Sequence, residues 1–347
     1  MILVTGGAGF IGSNFILEWL EQREEGVINI DALTYAGNLL NLKDIENDSR
    51  YSFIHGDICN GSLISDLLKK NRPQVIIHFA AESHVDRSID SPAPFIQTNI
   101  NGTFQILEAL LRHHRDGHSF RFIHVSTDEV YGSLKKNDPS TVEGAPYRPS
   151  SPYAASKAAS DHLVRSYHET YDLPTIVTNC TNNFGRFQFP EKLIPLIISN
   201  CADGKPLPIY GDGKNIRDWL HVSDMCSGLR AVIDKGVIGE TYHIANGQEK
   251  RNIDVVEAVC AIMDELRPAG APHRRLIAFT EDRPGHDFRY SLSYNKIRDE
   301  LGWQPEGGFE EHLKKTVLWY LDNEDWLNTV RSGDYRAWVE KHYGENT

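Results

Sequence analysis

Three glycines at the chain's first turn constrain its fold more than any other feature. Ile2, Leu3 and Val4 form a short apolar run, Thr5-Gly6-Gly7 follows, and Ser13 to Leu20 has the pattern of an amphipathic helix. Gly6, Gly9 and Gly12 keep a G-x-x-G-x-x-G spacing across that junction. Strand, glycine turn and helix in that order are the context of a dinucleotide-binding fingerprint. A missing Cβ permits the tight turn, the approach of backbone to a pyrophosphate, and close packing of helix on strand. The phosphates are expected at the helix N-terminus, facing unpaired N–H groups and the positive end of the helix dipole. The second apolar run, Val27 to Ile30, ends on Asp31, about 20 residues beyond the glycines, where the fingerprint places an acidic residue. A carboxylate there accepts from ribose hydroxyls and repels a 2′-phosphate, so NAD is expected rather than NADP.

Composition narrows the class. At 347 residues the chain is long enough for a large core and two domains. Its net charge of −12 argues against a nucleic-acid surface and against binding to an anionic membrane. An anionic substrate therefore needs a local basic pocket. The cysteines, Cys59, Cys180, Cys201, Cys226 and Cys260, are odd in number, scattered and without a C-x-x-C pair. They are expected as buried thiols in a reducing compartment, not as a disulfide or zinc framework. No apolar run reaches membrane-spanning length, and the chain enters a core strand at once, which leaves no room for a signal peptide; a cytoplasmic location is expected.

Further strands are expected at Tyr51 to Gly56, Val75 to Phe79, Phe120 to Val125 and Thr175 to Thr178, with helices at Ser62 to Lys70, Ile96 to His113 and from Tyr153 onward. Strands alternating with helices imply a parallel sheet covered on both faces. The fold class is therefore α/β, a Rossmann-type doubly wound parallel sheet with a smaller α/β substrate-binding domain. From Leu173 the alternation weakens, with irregular structure expected at Asn182 to Gly185, a helix within Phe189 to Asp203, and short strands at Pro206 to Gly211 and Ile216 to Val222. Helices follow at Val255 to Leu266 and Glu310 to Leu321. The expected division is a cofactor domain of residues 1–178, rejoined by about 213–250, and a discontinuous second domain within 179–347.

Tyr153 and Lys157 stand four apart at the start of a helix and so share a face. A phenol near pKa 10 is a poor base at neutral pH, and lowering it by about three units takes about 4 kcal/mol. A lysine one turn away and a positive nicotinamide ring are the expected sources. Ser126-Thr127 upstream completes a hydroxyl, tyrosine and lysine set suited to moving a hydroxyl proton while NAD takes a hydride. His113, His114 and His118 lack the carboxylate or cysteine spacing of a metal site and are expected at a solvated helix end; no metal is expected.

The strings TGGAGFIGSNF, IDALTYAGN, HFAAESHVDRSI, VSTDEVYG, SPYAASKAASDHLV, QFPEKLIPL, PLPIYGDG, IRDWLHV, DRPGHDFRY and LGWQP span the chain from residue 1 to about 343. With them the chain resembles the extended short-chain dehydrogenase/reductases that act on nucleotide sugars, and within these the dTDP-glucose 4,6-dehydratases. The resemblance implies an NAD site of Gly6, Gly9, Phe10, Ile11, Gly12, Asp31, Thr34, Asp57, Ile58, Ala80, Ala81, Ser83 and Thr98, together with Tyr153 and Lys157. It implies catalysis by Thr127, Asp128, Glu129, Tyr153 and Lys157, with Asp128 as general acid and Glu129 as general base. Elimination of water requires two carboxyls in differently tuned surroundings, which an epimerase does not. In a strand, adjacent side chains point to opposite faces, so both carboxyls reach one sugar only if the strand has ended before them.

For a nucleotide-sugar substrate the resemblance implies Ser83, His84, Thr127, Asn182, Lys192, Leu193, Pro208, Tyr210, Arg217, Asn252, Arg283 and His286, with Glu82 beside them. Arg217, Arg283, Lys192 and His286 form the basic pocket near the diphosphate. It also implies a homodimer paired through the helices near Ile96–His113 and Tyr153–Thr170, and a 4-keto-6-deoxy product that feeds rhamnose and other modified sugars. One string departs: the family reads N-N-Y-G-P where this chain has Asn182-Asn183-Phe184-Gly185-Arg186, leaving Arg186 free to meet a different group. A dehydratase for another nucleotide, a nucleotide-sugar 4-epimerase, and a redox-sensing module that holds NAD without chemistry are the competing readings; the last typically lacks the tyrosine or the lysine.

Overall fold

The computed structural model describes residues 1–333; residues 334–347, the end of the expected second domain, lie outside the described residues. Seven parallel strands form the central sheet: β1 (Ile2–Thr5), β2 (Val27–Asp31), β3 (Tyr51–His55), β4 (Val75–His78), β5 (Arg121–Thr127), β6 (Thr175–Cys180) and a returning strand at Thr241–Ile244. Their order, from Thr241–Ile244 through β6, β5, β4 and β1 to β2 and β3, reverses direction at β1. That reversal opens a crevice beyond the carboxyl ends of β1 and β4, the place where doubly wound sheets take ligands. All residues of β1 and β2 are buried, as a sheet with helices on both faces requires. β1 pairs with both neighbours in register, Ile2 opposite Val27 and opposite Val75.

One face packs Phe15, Trp19, Met225 and Leu229 from the helices Phe10–Gln22 and Val222–Lys235. The other packs Leu67, Leu107, Leu110 and Val164 from Gly61–Asn71, Thr103–Arg115 and Pro152–Tyr171. A third cluster, around Phe184, Ile197, Trp219, Val259, Met263, Leu313 and Tyr320, lies under the later part of the chain. There the expected irregular stretch is a strand, Asn182–Phe184, pairing in parallel with Ile216–His221, which also takes Glu249–Arg251 antiparallel. A parallel pair, Leu207–Tyr210 with Ile277–Thr280, completes the strands. The helix expected from Ile96 begins as a π-helical turn, Ile96–Gly102, before becoming α-helical at Thr103–Arg115. Among the described residues no helix is long and apolar enough to cross a membrane.

Candidate active site

At Gly6 the backbone takes φ +71°, a conformation that favours glycine. Gly9 caps the helix Phe10–Gln22 without a side-chain hydrogen bond, so the first-turn N–H groups face the crevice unspent by a cap. Asp31 ties this loop down: Oδ2 accepts from the Ala8 N–H (2.9 Å) and Oδ1 from the Leu33 N–H (2.8 Å). Burial raises its pKa against those bonds. A cleft of about 330 Å³ opens above the turn. The structure brings the whole expected cofactor set to its wall: Gly6, Gly9, Phe10, Ile11, Gly12, Asp31, Thr34, Asp57, Ile58, Ala80, Ala81, Ser83, Thr98, Tyr153 and Lys157. The turn fits a dinucleotide: a Cβ on Gly6 or Gly12 would run into the backbone of Ala80 or of Gly6, so glycine keeps the turn closely folded beneath the cleft, with the helix N-terminus uncapped by a side chain. The π-helical turn serves this wall: Thr98 lines it, and Asn99 donates to the Glu82 carbonyl (3.0 Å) and to Ser156 Oγ (2.9 Å) while its Oδ1 accepts from the Glu82 N–H (2.8 Å).

β5 ends at Thr127, and Asp128–Tyr131 is a 3₁₀ turn. Thr127 Oγ1 accepts from the Glu129 N–H (3.3 Å) and lies 3.2 Å from Asp128 Oδ1. The strand has thus ended before the two carboxyls. Thr127 and Glu129 line the cleft, whereas Asp128 is buried behind it with Oδ2 lacking a hydrogen-bond partner. Burial, and next the neighbouring Glu129, push Asp128 well above the usual carboxylate range, which keeps it protonated. Burial also raises Glu129, but Arg283, Arg217 and Lys192 pull against it.

Tyr153 and Lys157 stand on Pro152–Tyr171, a helix whose start is fixed by Ser151, whose Oγ accepts from the Ala154 N–H (3.1 Å), and by Pro152. Both side chains are buried and reach the cleft. The expected lowering of the Tyr153 phenol by Lys157 needs correction. Burial pushes Tyr153 well up, Glu129 and Cys180 add to it, and a hydrogen bond with Thr127 works the other way. The Lys157 ammonium is spent on the Val125 carbonyl (2.9 Å).

Of the expected substrate residues, Ser83, Thr127, Asn182 and Lys192 line the cleft, Lys192 while donating to the Ser83 carbonyl (3.1 Å); the others lie off its wall. Arg283 Nη1 lies 3.1 Å from Asp86 Oδ1, Tyr210 donates to Asp86 Oδ2 (3.0 Å), and His286, edge-on to Tyr210, bonds Asp282. Pro208 lies opposite Ala278 in the paired strands. Leu193 opens the helix Leu193–Asp203, and Asn252 opens Asn252–Leu266 with its Oδ1 buried and unpartnered. Arg217 and His84 are committed elsewhere. Arg217 is buried, stacks on Tyr290 (4.3 Å) and donates to the carbonyls of Ile216, Phe288 and Asp287, so its charge acts on the carboxyl pair from behind. His84 is not on the cleft wall but caps the short helix Val85–Asp90, its Nδ1 accepting from the Arg87 N–H (3.4 Å).

Among the described residues, buried polar atoms of Asn182, Asn183, Gln188 and Glu191, all on the cleft wall, have no hydrogen-bond partner, and such a group of atoms fits a polar ligand. Tyr35, Gln188 and Glu191 on the cleft wall, and Tyr290 against Arg217, escape the sequence reading, since only tertiary packing places them. Arg186 faces away: its Nε donates to Asn14 Oδ1 (2.7 Å), and it lines a second cavity with Glu18, His221 and Lys315. His113 stacks on His118 (4.2 Å), buried rather than solvated. Of the cysteines, all are free thiols and Cys59 is half-buried where burial was expected. Among the described residues no cluster of three or more His, Cys, Asp or Glu is placed to hold a metal ion.

A doubly wound sheet whose glycine turn shares a cleft with a threonine, tyrosine and lysine defines an extended short-chain dehydrogenase/reductase. The family model described as GDP-mannose 4,6 dehydratase matches residues 3–316. The chain is 54% identical over 344 residues to the dTDP-glucose 4,6-dehydratase of Neisseria meningitidis serogroup B, covering 96% of this chain and 97% of that protein. It is 53% identical over 343 residues to the enzyme of the same name from Xanthomonas campestris pv. campestris, with the same coverage. Among solved structures, the DesIV double mutant (dTDP-glucose 4,6-dehydratase) from Streptomyces venezuelae with NAD and DAU bound superposes with a TM-score of 0.89 at 44% identity, over 95% of this chain and 99% of that one. The chain belongs to the family of the dTDP-glucose 4,6-dehydratases.

Proposed function

We propose that this protein converts dTDP-glucose to dTDP-4-keto-6-deoxyglucose with NAD as cofactor, a hydro-lyase reaction. The observation that carries the reading is the carboxyl pair Asp128–Glu129, set just past the end of β5 beside the cleft that holds Tyr153. Gly6, Gly9, Gly12, Asp31 and Lys157 would hold NAD, which would supply a reversible store for the hydride exchanged with C4 and C6. Tyr153, with Thr127 beside it, accepts the C4 hydroxyl proton once the positive nicotinamide ring and Lys157 on the same helix face offset the burial that otherwise keeps its phenol protonated. The 4-ketone acidifies C5–H, and Glu129, its burial opposed by Arg283, Arg217 and Lys192, removes that proton and returns one to C5 as C6 is reduced. Asp128, held protonated by burial, gives its proton to the departing C6 hydroxyl, which leaves as water. Lys192 on the cleft wall and Arg283, with the buried Arg217 behind the carboxyl pair, supply positive charge for the substrate's diphosphate on a chain of net charge −12.

The same reading divides the chain into a cofactor domain, residues 1–178 rejoined by about 213–250, and a substrate domain; the strand Thr241–Ile244 in the main sheet supports the return, whereas Ile216–His221 pairs in the smaller sheet and Trp219 packs in the third core. A homodimer pairs through the helices Thr103–Arg115 and Pro152–Tyr171, on or beside which Ile96, Phe104 and Tyr171 are exposed. Five free thiols support a reducing, cytoplasmic setting. The product is a precursor of deoxysugars, rhamnose among them. Turnover of dTDP-glucose, UDP-glucose and GDP-mannose with product identification tests the assignment. A 4-keto-6-deoxy product from dTDP-glucose supports it; a galactose-type product, or no turnover of dTDP-glucose, overturns it.

A further inference from the structure

Behind the catalytic wall lies a charged group that the proposed cycle does not use. Asp161 follows Lys157 by one helical turn on Pro152–Tyr171, so the two share a helix face, and its side chain is wholly buried. Its Oδ2 accepts from Ser126 Oγ (2.9 Å), Tyr147 Oη (2.8 Å) and Asn179 Nδ2 (3.2 Å), and its Oδ1 lies 3.1 Å from His124 Nε2. An isolated buried carboxylate is costly, and it survives where hydrogen bonds and a counter-charge compensate it. Burial works to raise Asp161, yet the close approach of His124 and the nearby charges outweigh it and hold the carboxyl below its ordinary range.

The counter-charge can be assigned by elimination among the groups that face the carboxylate. His124 is pushed down to about 4 by burial, and His78, its rings 5.3 Å from those of His124, lies well below its ordinary range for the same reason. Both are neutral at physiological pH. Ser126, Asn179 and Cys180 carry no positive charge, and burial raises the Tyr147 phenol, leaving it neutral. Arg165 meets Tyr147 Oη (2.6 Å) from a half-buried position and screens the carboxylate from outside. Lys157 is the cation buried with it. Its Nζ has a carbonyl, that of Val125, as its hydrogen-bond acceptor; burial lowers it, and Asp161 is the largest influence the other way.

We propose that Asp161 is a positioning residue for the reaction, the buried counter-charge that holds Lys157 as an ammonium without touching substrate or cofactor. This rests on the proposed role of Lys157, but the electrostatic pairing can be tested without catalysis. Lys157→Met leaves Asp161 buried with no cation; adding Asp161→Asn removes the stranded charge. The double variant K157M/D161N is expected to unfold at a higher temperature than K157M, whereas D161N alone unfolds lower than wild type. If D161N lowers the unfolding temperature equally in both backgrounds, or the double variant fails to fold where K157M folds, Asp161 is a hydrogen-bond hub and the proposal falls.

The functional arm is the pH profile of hydride transfer, read from the absorbance of reduced nicotinamide with dTDP-glucose. D161N is expected to move the alkaline limb, where Lys157 loses its proton, at least about one unit to lower pH, so that rates beyond the limb fall about tenfold while rates well below it hold. Tyr147→Phe takes one hydrogen bond from the same carboxylate and leaves its charge, so it should move neither limb. A D161N profile scaled down evenly, or shifted no more than that of Y147F, overturns the proposal. A wild-type enzyme inactive on dTDP-glucose whose variants still show the expected stability pattern would instead sink the proposed function and leave the pairing standing.

Discussion

A Cβ placed on Gly6 would lie 2.5 Å from the backbone nitrogen of Ala80. The first turn of the sheet and the end of β4 therefore meet backbone to backbone, and neither side has a flexible side chain that could yield. Gly6 also holds φ +71°, which costs an alanine about 1 kcal/mol before any clash. Gly6→Ala should separate β1 from β4 at the floor of the cleft. The expected outcome is at least a tenfold loss of NAD affinity with lowered thermal stability, measured by titration calorimetry and melting. Unchanged affinity would mean that the cofactor does not lie on this turn.

Glu129 and Asp128 differ in what opposes their burial. Glu129 faces three cations, whereas Asp128 is pushed furthest by burial and by Glu129 itself. Glu129→Gln should keep C4 oxidation, seen as accumulation of reduced nicotinamide, while water loss falls by about 10² to 10⁴-fold. Asp128→Asn should slow elimination over the same range. Normal dehydration by E129Q would remove Glu129 from the role of base.

Much of the cofactor side was legible because its determinants are local. A glycine turn, an apolar strand on each side and an acidic residue at the next strand end all appear within about thirty residues. The substrate side depends on distant pairings. Asn182–Phe184 becomes a strand through its partner Trp219–His221, and nothing in three residues with an intermediate exposure pattern announces that. Arg217 reads as part of a basic substrate pocket, yet Tyr290 and three backbone carbonyls enclose it. The tyrosine–lysine spacing was correctly placed on one helix face, but spacing cannot show that the ammonium meets Val125 or that burial dominates the phenol. Side-chain direction in a packed core is a tertiary property.

Arg186 replaces the proline expected after Gly185, and its guanidinium is committed to Asn14 on the glycine-turn helix. Asn14 returns a bond to the Arg186 carbonyl (3.1 Å), joining the two segments reciprocally. The next residue, Phe187, takes φ +67° and packs edge-on against Trp319 (4.9 Å). Arg186→Ala should therefore leave the KM for the nucleotide sugar within about twofold and lower stability by about 0.5–1.5 kcal/mol, the worth of one hydrogen bond. A large rise in KM would place Arg186 at the substrate after all.

His243 provides the pH test of stability. Its ring is fully buried on the returning strand, with Nε2 2.8 Å from the Tyr131 hydroxyl and Nδ1 3.2 Å from the Ser293 carbonyl. That pattern suits a neutral ring that accepts at Nε2 and donates at Nδ1. Burial pushes its pKa down to about 3 from an ordinary 6.5. Below pH 6.5 the unfolded chain takes up a proton here that the folded chain refuses, so this contribution to stability is whole above pH 6.5 and is lost as pH falls toward 3. The loss runs at about 1.4 kcal/mol per pH unit once the unfolded ring is fully charged. His243→Gln keeps hydrogen-bonding capacity and removes the titration. The variant should be less stable than wild type at neutral pH, and the gap should narrow by about 2 kcal/mol on acidification by about 1.5 units below the unfolded pKa. Urea unfolding at neutral and acid pH measures it; a gap that stays constant or widens with acid would show that His243 is already charged in the folded protein.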